Sequence, residues 1–478
     1  MIAGRFAERT IRFGTMVVLS RLLLPAEFGL FVLGLSIAGA VTYIRSFGVD
    51  AALIQRQDTF DRRVSSTAFA ILSISGVLLF AAFYLVAPLI AGIFPEPSLL
   101  PVIRTLGLSI IIGTVSKVPL AQIEKRLEFR KVAVAEICGR LGFTAVAIAL
   151  AFAGFGVWSL VTAYLTRQAI TATAIWRSSG WQPLLSFDRS IAKELVGFGK
   201  FIVGSSMLRY LQSNLDKMIL GRILGAGAVG LYGLAFNIAN LANSQVVQPL
   251  RAVMFPTFSQ LQDDRKALKR AFLKSVKYIV ILAAPLSVGL VFLAPEFVTI
   301  VYTERWIGAA KPMQILACYG LIRSISDAAI PLFRAIGLPQ TDFGLMLMHV
   351  VLIAALMAPA VTLLGTEGAA VAMLLSGVIV SGVMIRRLHN AIRVTAAEMF
   401  KALRPGFLGA SVLGLFLSGL KLSVDLLATP LGPWALPLAI AICAPIYLGC
   451  LWLVDREGLV ALGSLLRMRK GPEGAAGG

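Results

Sequence analysis

Apolar stretches of about twenty residues follow one another along the whole chain, separated by short polar connections. A helix needs about 20 mostly apolar residues to cross the roughly 30 Å hydrocarbon layer of a bilayer. The pattern predicts fourteen such spans, near 5–23, 28–48, 65–90, 99–121, 132–153, 157–176, 196–220, 228–249, 276–302, 310–332, 342–364, 367–385, 405–424 and 434–454. Only helices and closed barrels satisfy their backbone in lipid, and stretches of this length are helical. The expected fold is therefore an all-α polytopic membrane protein, with no room for a folded soluble domain.

The polar positions inside those stretches carry the second message. In 196–220, Ser205, Arg209, Gln212, Ser213 and Asp216 share one helical face, opposite Phe201, Leu208, Leu211, Leu215 and Met218. In 228–249 the polar set is Asn237, Asn240, Ser244 and Gln248, and in 5–23 it is Arg5, Glu8, Arg12 and Thr15. A charge at the bilayer centre costs about 2.5–3.5 kcal/mol even on lenient scales, so such groups pair, snorkel or face water. The stripes are expected to line a hydrophilic cavity, with interhelical hydrogen bonding as the competing reading. Glu136 with Arg140, and Arg323 with Asp327, stand four residues apart and are expected to neutralise each other locally. Arg167 has no acid within a turn and leans to the cavity. His349 is read as a hydrogen-bonded packing residue, and Arg45 and Asp50 as snorkelling side chains.

A repeat orders the spans. The run from Arg21 through Pro25 to Gly29-Leu30-Phe31 reads against Arg222 through Ala226 to Gly230-Leu231-Tyr232, and Leu33, Ile37 and Ala38 recur as Leu234, Ile238 and Ala239. Ala87-Pro88 echoes Ala294-Pro295 further on. Six spans separate the copies, so both halves enter the membrane in the same direction, the parallel-repeat plan of some secondary transporters. The expected organisation is a six-helix lobe over 1–180, a cytoplasmic linker serving as hinge or tether over 181–195, a second six-helix lobe over 196–390, an appended helix pair over 391–470 and a disordered tail over 471–478. Within the longest loop, 250–275, Asp263-Asp264 suits a helix start, and the basic-apolar alternation after it suits a helix lying at the lipid surface.

Composition agrees: 58% of residues are hydrophobic and only 14% charged, whereas soluble domains carry about 25% charged residues. The net charge of +20 would suggest nucleic acid, but its distribution argues otherwise. Arg21, Arg104, Lys217, Arg222, Arg305, Lys311 and Lys421 fall on one face, Arg140, Arg167 and Arg209 lie inside spans, and the rest of the 44 Lys and Arg sit on the other face. By the positive-inside rule that richer face is cytoplasmic, as are both termini. The basic excess is read as topology and contact with anionic membrane lipids, with no nucleic acid as partner. Cys138, Cys318, Cys443 and Cys450 all lie in spans without Cys-x-x-Cys spacing and are expected to be buried free thiols. Residues 1–20 carry Arg5, Glu8, Arg9 and Arg12 where a signal peptide would be apolar. From Met1 to Leu22 a helix extends about 33 Å, barely a crossing, so the first span is either shallow or preceded by further residues.

The sequence holds no phosphate-binding Gly-rich loop ending in Lys-Ser/Thr, no Gly-x-Ser-x-Gly elbow, no Asp-x-Asp and no metal-ligand cluster. No cofactor and no catalysis are expected; movement of a solute or lipid is.

Several short motifs carry a family resemblance. They are Arg21-Leu-Leu-Leu-Pro-Ala-Glu-Phe-Gly29, the run Phe47–Arg56, Arg126-Leu127-Glu128-Phe129, the run Gly154–Leu160, Asn214-Leu215-Asp216-Lys217 with Gly221-Arg222, Phe255-Pro256-Thr257 with Gln262-Asp263-Asp264, and Glu304-Arg305-Trp306. In this order, over about 10–390, the chain resembles polysaccharide transporters of the Wzx type, within the multidrug/oligosaccharidyl-lipid/polysaccharide exporter superfamily. The resemblance implies a MATE-like fold in the bacterial inner membrane. It implies flipping of undecaprenyl-pyrophosphate-linked oligosaccharide by alternating access, for exopolysaccharide, O-antigen or capsule, with polymerase or export machinery as partner. On that reading Arg12, Arg167 and Arg209 contact the anion, Gln212, Asn237, Asn240 and Gln248 line the cavity and suit sugar hydroxyls, and Asp216 and Asp327 are ion-coupling or pairing carboxylates. The alternative is a cation-coupled small-molecule exporter of the multidrug branch, which needs acidic coupling residues in place of a cationic cavity. A membrane-embedded sugar ligase or polymerase would carry large outer loops that this chain lacks.

Overall fold

A computed structural model describes residues 2–44, 62–184, 186–427 and 435–456, with side chains except over 2–10, 43–44, 194–203, 205, 424–427, 435–437 and 440. The described elements are all helical. They are α1 (Ile2–Leu22), α2 (Pro25–Ile44), α3 (Arg62–Ala91), α4 (Leu99–Val115), α5 (Lys117–Lys125), α6 (Phe129–Phe152), α7 (Val157–Ser179) and α8 (Arg189–Ala239). A π-turn (Asn243–Val247) leads into α9 (Gln248–Gln260) and α10 (Arg265–Phe297). After a second π-turn (Val298–Tyr302) and a 3-10 turn (Glu304–Ala309) come α11 (Ala310–Asp327), α12 (Ala329–Ala335), α13 (Pro339–Ile392), α14 (Ala396–Leu427) and α15 (Ala435–Val454). Arg45, Asp50, the motif from Phe47 and the tail 471–478 lie outside the described residues.

Among the described residues eight helices are long and apolar enough to cross a membrane, or nine if the bent pair α4–α5 is one span. The fold is thus a polytopic helical membrane fold, although fourteen separate crossings are not resolved as fourteen helices. Two elements account for part of the difference. The 54 residues of α13 would extend about 81 Å if straight, more than twice the hydrocarbon layer. The helix breaks at Gly365, with φ 61° and ψ −136°, and α8 breaks likewise at Gly225, with φ 78° and ψ −174°. Only glycine enters that region cheaply, so each break divides one continuous element into the two expected spans.

Large apolar side chains point outward, as lipid-facing positions do. On α3, Leu78, Leu85 and Leu89 are all well exposed at spacings of seven and four, which is one helical face.

By Cα packing the chain groups into two compact units. The first contains Met1–Gly233 with Ile353–Thr366, and the second Leu234–Leu352 with Glu367–Gly478. In the first, Val102, Ile103, Leu106 and Ile110 of α4 are fully buried, and α2 approaches them closely because Gly34 has no side chain; a Cβ there would stand 2.9 Å from Leu106 and Val102. The second is built around α9, α10 and α12, with Phe258, Leu268, Phe272, Val276, Leu332 and Phe333 in one cluster.

Two expectations are corrected. The basic stretch after Asp264 does not lie along the lipid surface as a separate helix. It is the first turns of α10, because Leu268, Phe272, Val276 and Ile279 continue one buried stripe into the span. Asp264 does cap that helix, accepting from the Lys266 and Ala267 amides at 2.9 and 3.0 Å; the Ala267 N–H bond is the main reason its carboxyl titrates below the usual range. The cysteines are not all buried: Cys138 and Cys318 are exposed. The described part of the linker is strapped down. Trp181 packs edge-on against Phe69, and the Leu184 and Asp188 amides donate to Ser66 and Thr67 at the start of α3.

Candidate functional site

In the first unit α6 and α7 run side by side, and Gly139 sets their separation. A Cβ there would lie 2.1 Å from the Thr171 hydroxyl and 3.0 Å from the Arg167 carbonyl oxygen. That approach brings Arg167, one helix away, within 3.1 Å of Glu136. Glu136 therefore bridges to Arg167 across helices, where the sequence spacing suggested Arg140, and Arg167 has the acidic partner that local spacing denied it. Arg12 is exposed on α1, and one turn on Thr15 meets Thr144 of α6 at 2.9 Å.

Asp216 is the most enclosed carboxylate among the described residues, at 1% exposure. The Tyr232 hydroxyl donates to its Oδ2 at 2.9 Å and the Lys217 amide to its Oδ1 at 2.9 Å. Arg209 is exposed and forms no ion pair with Asp216 in this structure. Lys217 turns its ammonium to the Ser213 carbonyl and the Asn214 amide oxygen. Ser36 of α2 also donates to Asn214, and the Tyr210 hydroxyl to the Ser36 carbonyl, so this stretch of α8 is tied to α2 by polar contacts. Gln212 is half-buried on the same helix.

In the second unit Asp327 is a hub. Its Oδ2 takes Arg251 Nη2 at 2.5 Å, Asn243 Nδ2 at 2.8 Å and Arg323 Nε at 3.6 Å. The expected Arg323 pair exists, yet the nearer cation is Arg251, which the sequence placed in a loop. The π-turn explains the miss: the Gln248 amide bonds back five residues to the Asn243 carbonyl. The helix thus continues into α9, with Asn243 and Arg251 both reaching Asp327. Such inserted turns mark functional stretches of helices. Two guanidinium groups against one carboxylate leave the hub with a net positive charge. Along the same path Asn240 has a buried side-chain oxygen with no hydrogen-bond partner among the described residues, while Asn237 and Gln248 are exposed. His349 is buried with its ring tilted over Tyr319, centroids 6.3 Å apart.

The second unit also holds an apolar cavity of about 620 Å³. It is lined by the end of α8, by α10 and by α14 and α15, with Leu241, Leu286, Leu290, Leu417 and Leu448 among its walls. Lys277 with Asp455 at 2.6 Å, and Lys421 with Glu296 at 3.1 Å, pin α15 and α14 to opposite ends of α10. Tyr447 donates to the Ile281 carbonyl at 2.7 Å in between. No group of three or more metal-ligating side chains occurs among the described residues.

Comparison with known proteins fits this picture. The sequence profile of a family described as polysaccharide biosynthesis protein matches residues 18–311. The chain is 28% identical over 315 residues to the lipopolysaccharide biosynthesis protein WzxC of Escherichia coli, covering 65% of this chain and 64% of that one. It is 27% identical over 286 residues to the teichuronic acid biosynthesis protein TuaB of Bacillus subtilis, covering 59% of each. These matches span less than two thirds of the relatives' own length. Among solved structures, the lipid II flippase MurJ in an inward closed conformation superposes with a TM-score of 0.79, over 95% of this chain and 98% of that one. Sequence identity there is 13%, so the likeness is one of fold.

Proposed function

We propose that this chain, which belongs to the polysaccharide biosynthesis protein family, is a flippase that carries a lipid-linked oligosaccharide across the bacterial inner membrane. The observation that carries the reading is the pairing, inside one unit, of a net-cationic hub at Asp327 with an apolar cavity of about 620 Å³. A substrate with an anionic, sugar-bearing head and a long hydrocarbon tail needs both chemistries. Arg251 and Arg323 attract the phosphate groups by charge-assisted hydrogen bonds. Asn240, with its unmet side-chain acceptor, takes a sugar hydroxyl as donor, and Asn237 and Gln248 add exposed amides. The hydrocarbon chain occupies the cavity between α10, α14 and α15.

In the first unit Arg12, Arg167, Arg209 and Gln212 supply the corresponding polar contacts, with Glu136 holding Arg167 in place. Asp216 serves as the coupling carboxylate, enclosed in the first unit and held by the Tyr232 hydroxyl and the Lys217 amide. Both termini are cytoplasmic, the chain performs no covalent chemistry, and the polysaccharide polymerase or export machinery receives its product. A small-molecule cation exporter draws support from Asp216 alone, and the positive charge at Asp327 opposes it.

Deleting the protein from its host, in a strain without a second flippase, should trap sugar-loaded lipid carrier on the cytoplasmic leaflet and stop polymer secretion. Normal carrier turnover and polymer secretion would refute the reading. Arg209→Ala should block export with the protein still inserted; intact export would exclude Arg209 from the path.

A further inference from the structure

Each unit contains the same turn between a short helix and a long one: 126–128 joins α5 to α6, and 336–338 joins α12 to α13. Their hydrogen bonds match one for one. The Arg126, Leu127 and Glu128 amides donate to the Gln122, Glu124 and Ile123 carbonyls, and the Ile336, Gly337 and Leu338 amides to those of Leu332, Arg334 and Phe333. In this kind of helix end the middle residue takes left-handed backbone angles, a position glycine normally fills. The second unit follows that rule with Gly337 at φ 74°, whereas the first puts Leu127 there at φ 58°. A side chain in that region crowds the following carbonyl oxygen, and strain of this kind persists where the residue serves a function. Leu127 does not serve the core, because it is 73% exposed.

The flanking residues differ in the same sense. Where the second turn has Ala335, Ile336, Gln340 and Thr341, the first has Lys125, Arg126, Arg130 and Lys131, beside the acids Glu124 and Glu128. The shared backbone therefore needs neither the cations nor the leucine. Lys131 pairs with Glu128 at 2.8 Å, while Arg126, Phe129 and Arg130 are exposed beside Leu127. The 24 residues of α6 extend about 36 Å, about one turn more than the roughly 30 Å hydrocarbon layer. Its exposed apolar positions Val134, Leu141 and Phe152 fall on the side away from Glu136 and Arg140, and Arg130 continues that apolar stripe at its first turn.

From this comparison we infer that the 125–131 turn is an interfacial anchor for anionic phospholipid. Leu127 and Phe129 enter the upper acyl layer, and Arg126 and Arg130 bind the lipid phosphates. In the orientation proposed above, that leaflet is the cytoplasmic one. Continuity with the apolar stripe of α6 and the sign of the charge both point to lipid as the occupant. The matching turn of the second unit has the backbone for this and lacks the side chains.

A spin label on Leu127→Cys tests the anchor, with the four native cysteines replaced and the full chain in nanodiscs of phosphatidylethanolamine and phosphatidylglycerol. The label should collide with oxygen several times more often than with a water-soluble nickel chelate. A label on Asp263→Cys, in an exposed polar loop, should show the reverse. Because the nanodiscs hold no other protein, a label at 127 as open to the chelate as the one at 263 would overturn the anchor and favour a protein partner. Exchanging phosphatidylglycerol for phosphatidylcholine should make the 127 label shallower, and Arg126→Gln with Arg130→Gln should abolish that difference. Equal depth in both lipid mixtures with the arginines intact would overturn the anionic part.

Stability supplies an independent arm. In detergent without phospholipid, Leu127→Gly should unfold at or above the native midpoint, since glycine relieves the backbone as Gly337 does. A lower midpoint would show that Leu127 serves packing within the fold and would overturn the anchor.

Discussion

Removing Asp327 is the sharpest perturbation of the second unit. In Asp327→Ala, Arg251 and Arg323 lose the carboxylate that separates their charges, and the Asn243 amide loses its acceptor. Two unit charges about 4 Å apart attract by about 4 kcal/mol at an effective dielectric of 20. Desolvation offsets part of that. The Arg251 and Asp327 side chains are 30% and 17% exposed, so some water screening persists. A hydrogen bond to a charged group contributes about 1.5–3 kcal/mol, and that range is the expected coupling between Arg251 and Asp327. A double-mutant cycle of Arg251→Ala, Asp327→Ala and the pair measures it, by equilibrium unfolding in mixed micelles. Asp327→Ala should be the more harmful single change, because it leaves two like charges facing each other. The exchange Arg251→Asp with Asp327→Arg should recover much of the stability and none of the export, since the proposed site needs the cation on α9. A coupling below about 0.5 kcal/mol would refute the hub, and an exchanged pair that exports normally would refute its role as an anion site.

Other consequences follow from single contacts. Gly139→Val should force α6 from α7, cost about 1–3 kcal/mol as overpacking does, and abolish any coupling between Glu136 and Arg167 in a double-mutant cycle. Cys138 and Cys318 should react with a lipid-soluble maleimide in membranes faster than Cys443 and Cys450, which are less exposed; equal rates would contradict that difference in exposure. Because folding lowers the Asp264 carboxyl below its usual range, its capping contribution should be complete above about pH 4 and be lost as the pH falls through the lowered value. Amide exchange at Lys266 and Ala267 should quicken over that acid range and show no such step in Asp264→Ala. Lys277→Ala should loosen the C-terminal end of α15 from α10, seen as faster amide exchange near Asp455 with Tyr447 still protected.

The sequence conveys crossings and polar faces well, because each follows from spacing along one helix. The apolar stretch expected over 65–90 illustrates this, recovered as the helix Arg62–Ala91. The Asp264 cap was equally visible, since a cap is local. Contacts between helices were not. Glu136 finds Arg167 through the close approach at Gly139, and nothing in the numbering from 136 to 140 reveals that. Arg251 escaped because one π-turn shifts the register beyond Val247 and carries helix into what reads as a loop. Tyr232 reaches Asp216 only after the chain has turned at Gly225. Gly225 and Gly365 break α8 and α13 between expected spans, and the continuous helices around them hide the count. The repeat was legible as letters, but the close approach of Gly29 to Ala226 and of Gly230 to Pro25 exists only in three dimensions.

The most direct test of the flippase account is a leaflet-resolved assay with the purified protein in liposomes carrying a fluorescent polyprenyl-diphosphate oligosaccharide. The protein should bring the outer-leaflet probe to equilibrium with the inner leaflet well above the rate of empty liposomes, and Arg251→Ala with Arg323→Ala should return it to that background. A rate equal to empty liposomes for the unaltered protein, or full activity in the double variant, would contradict the account.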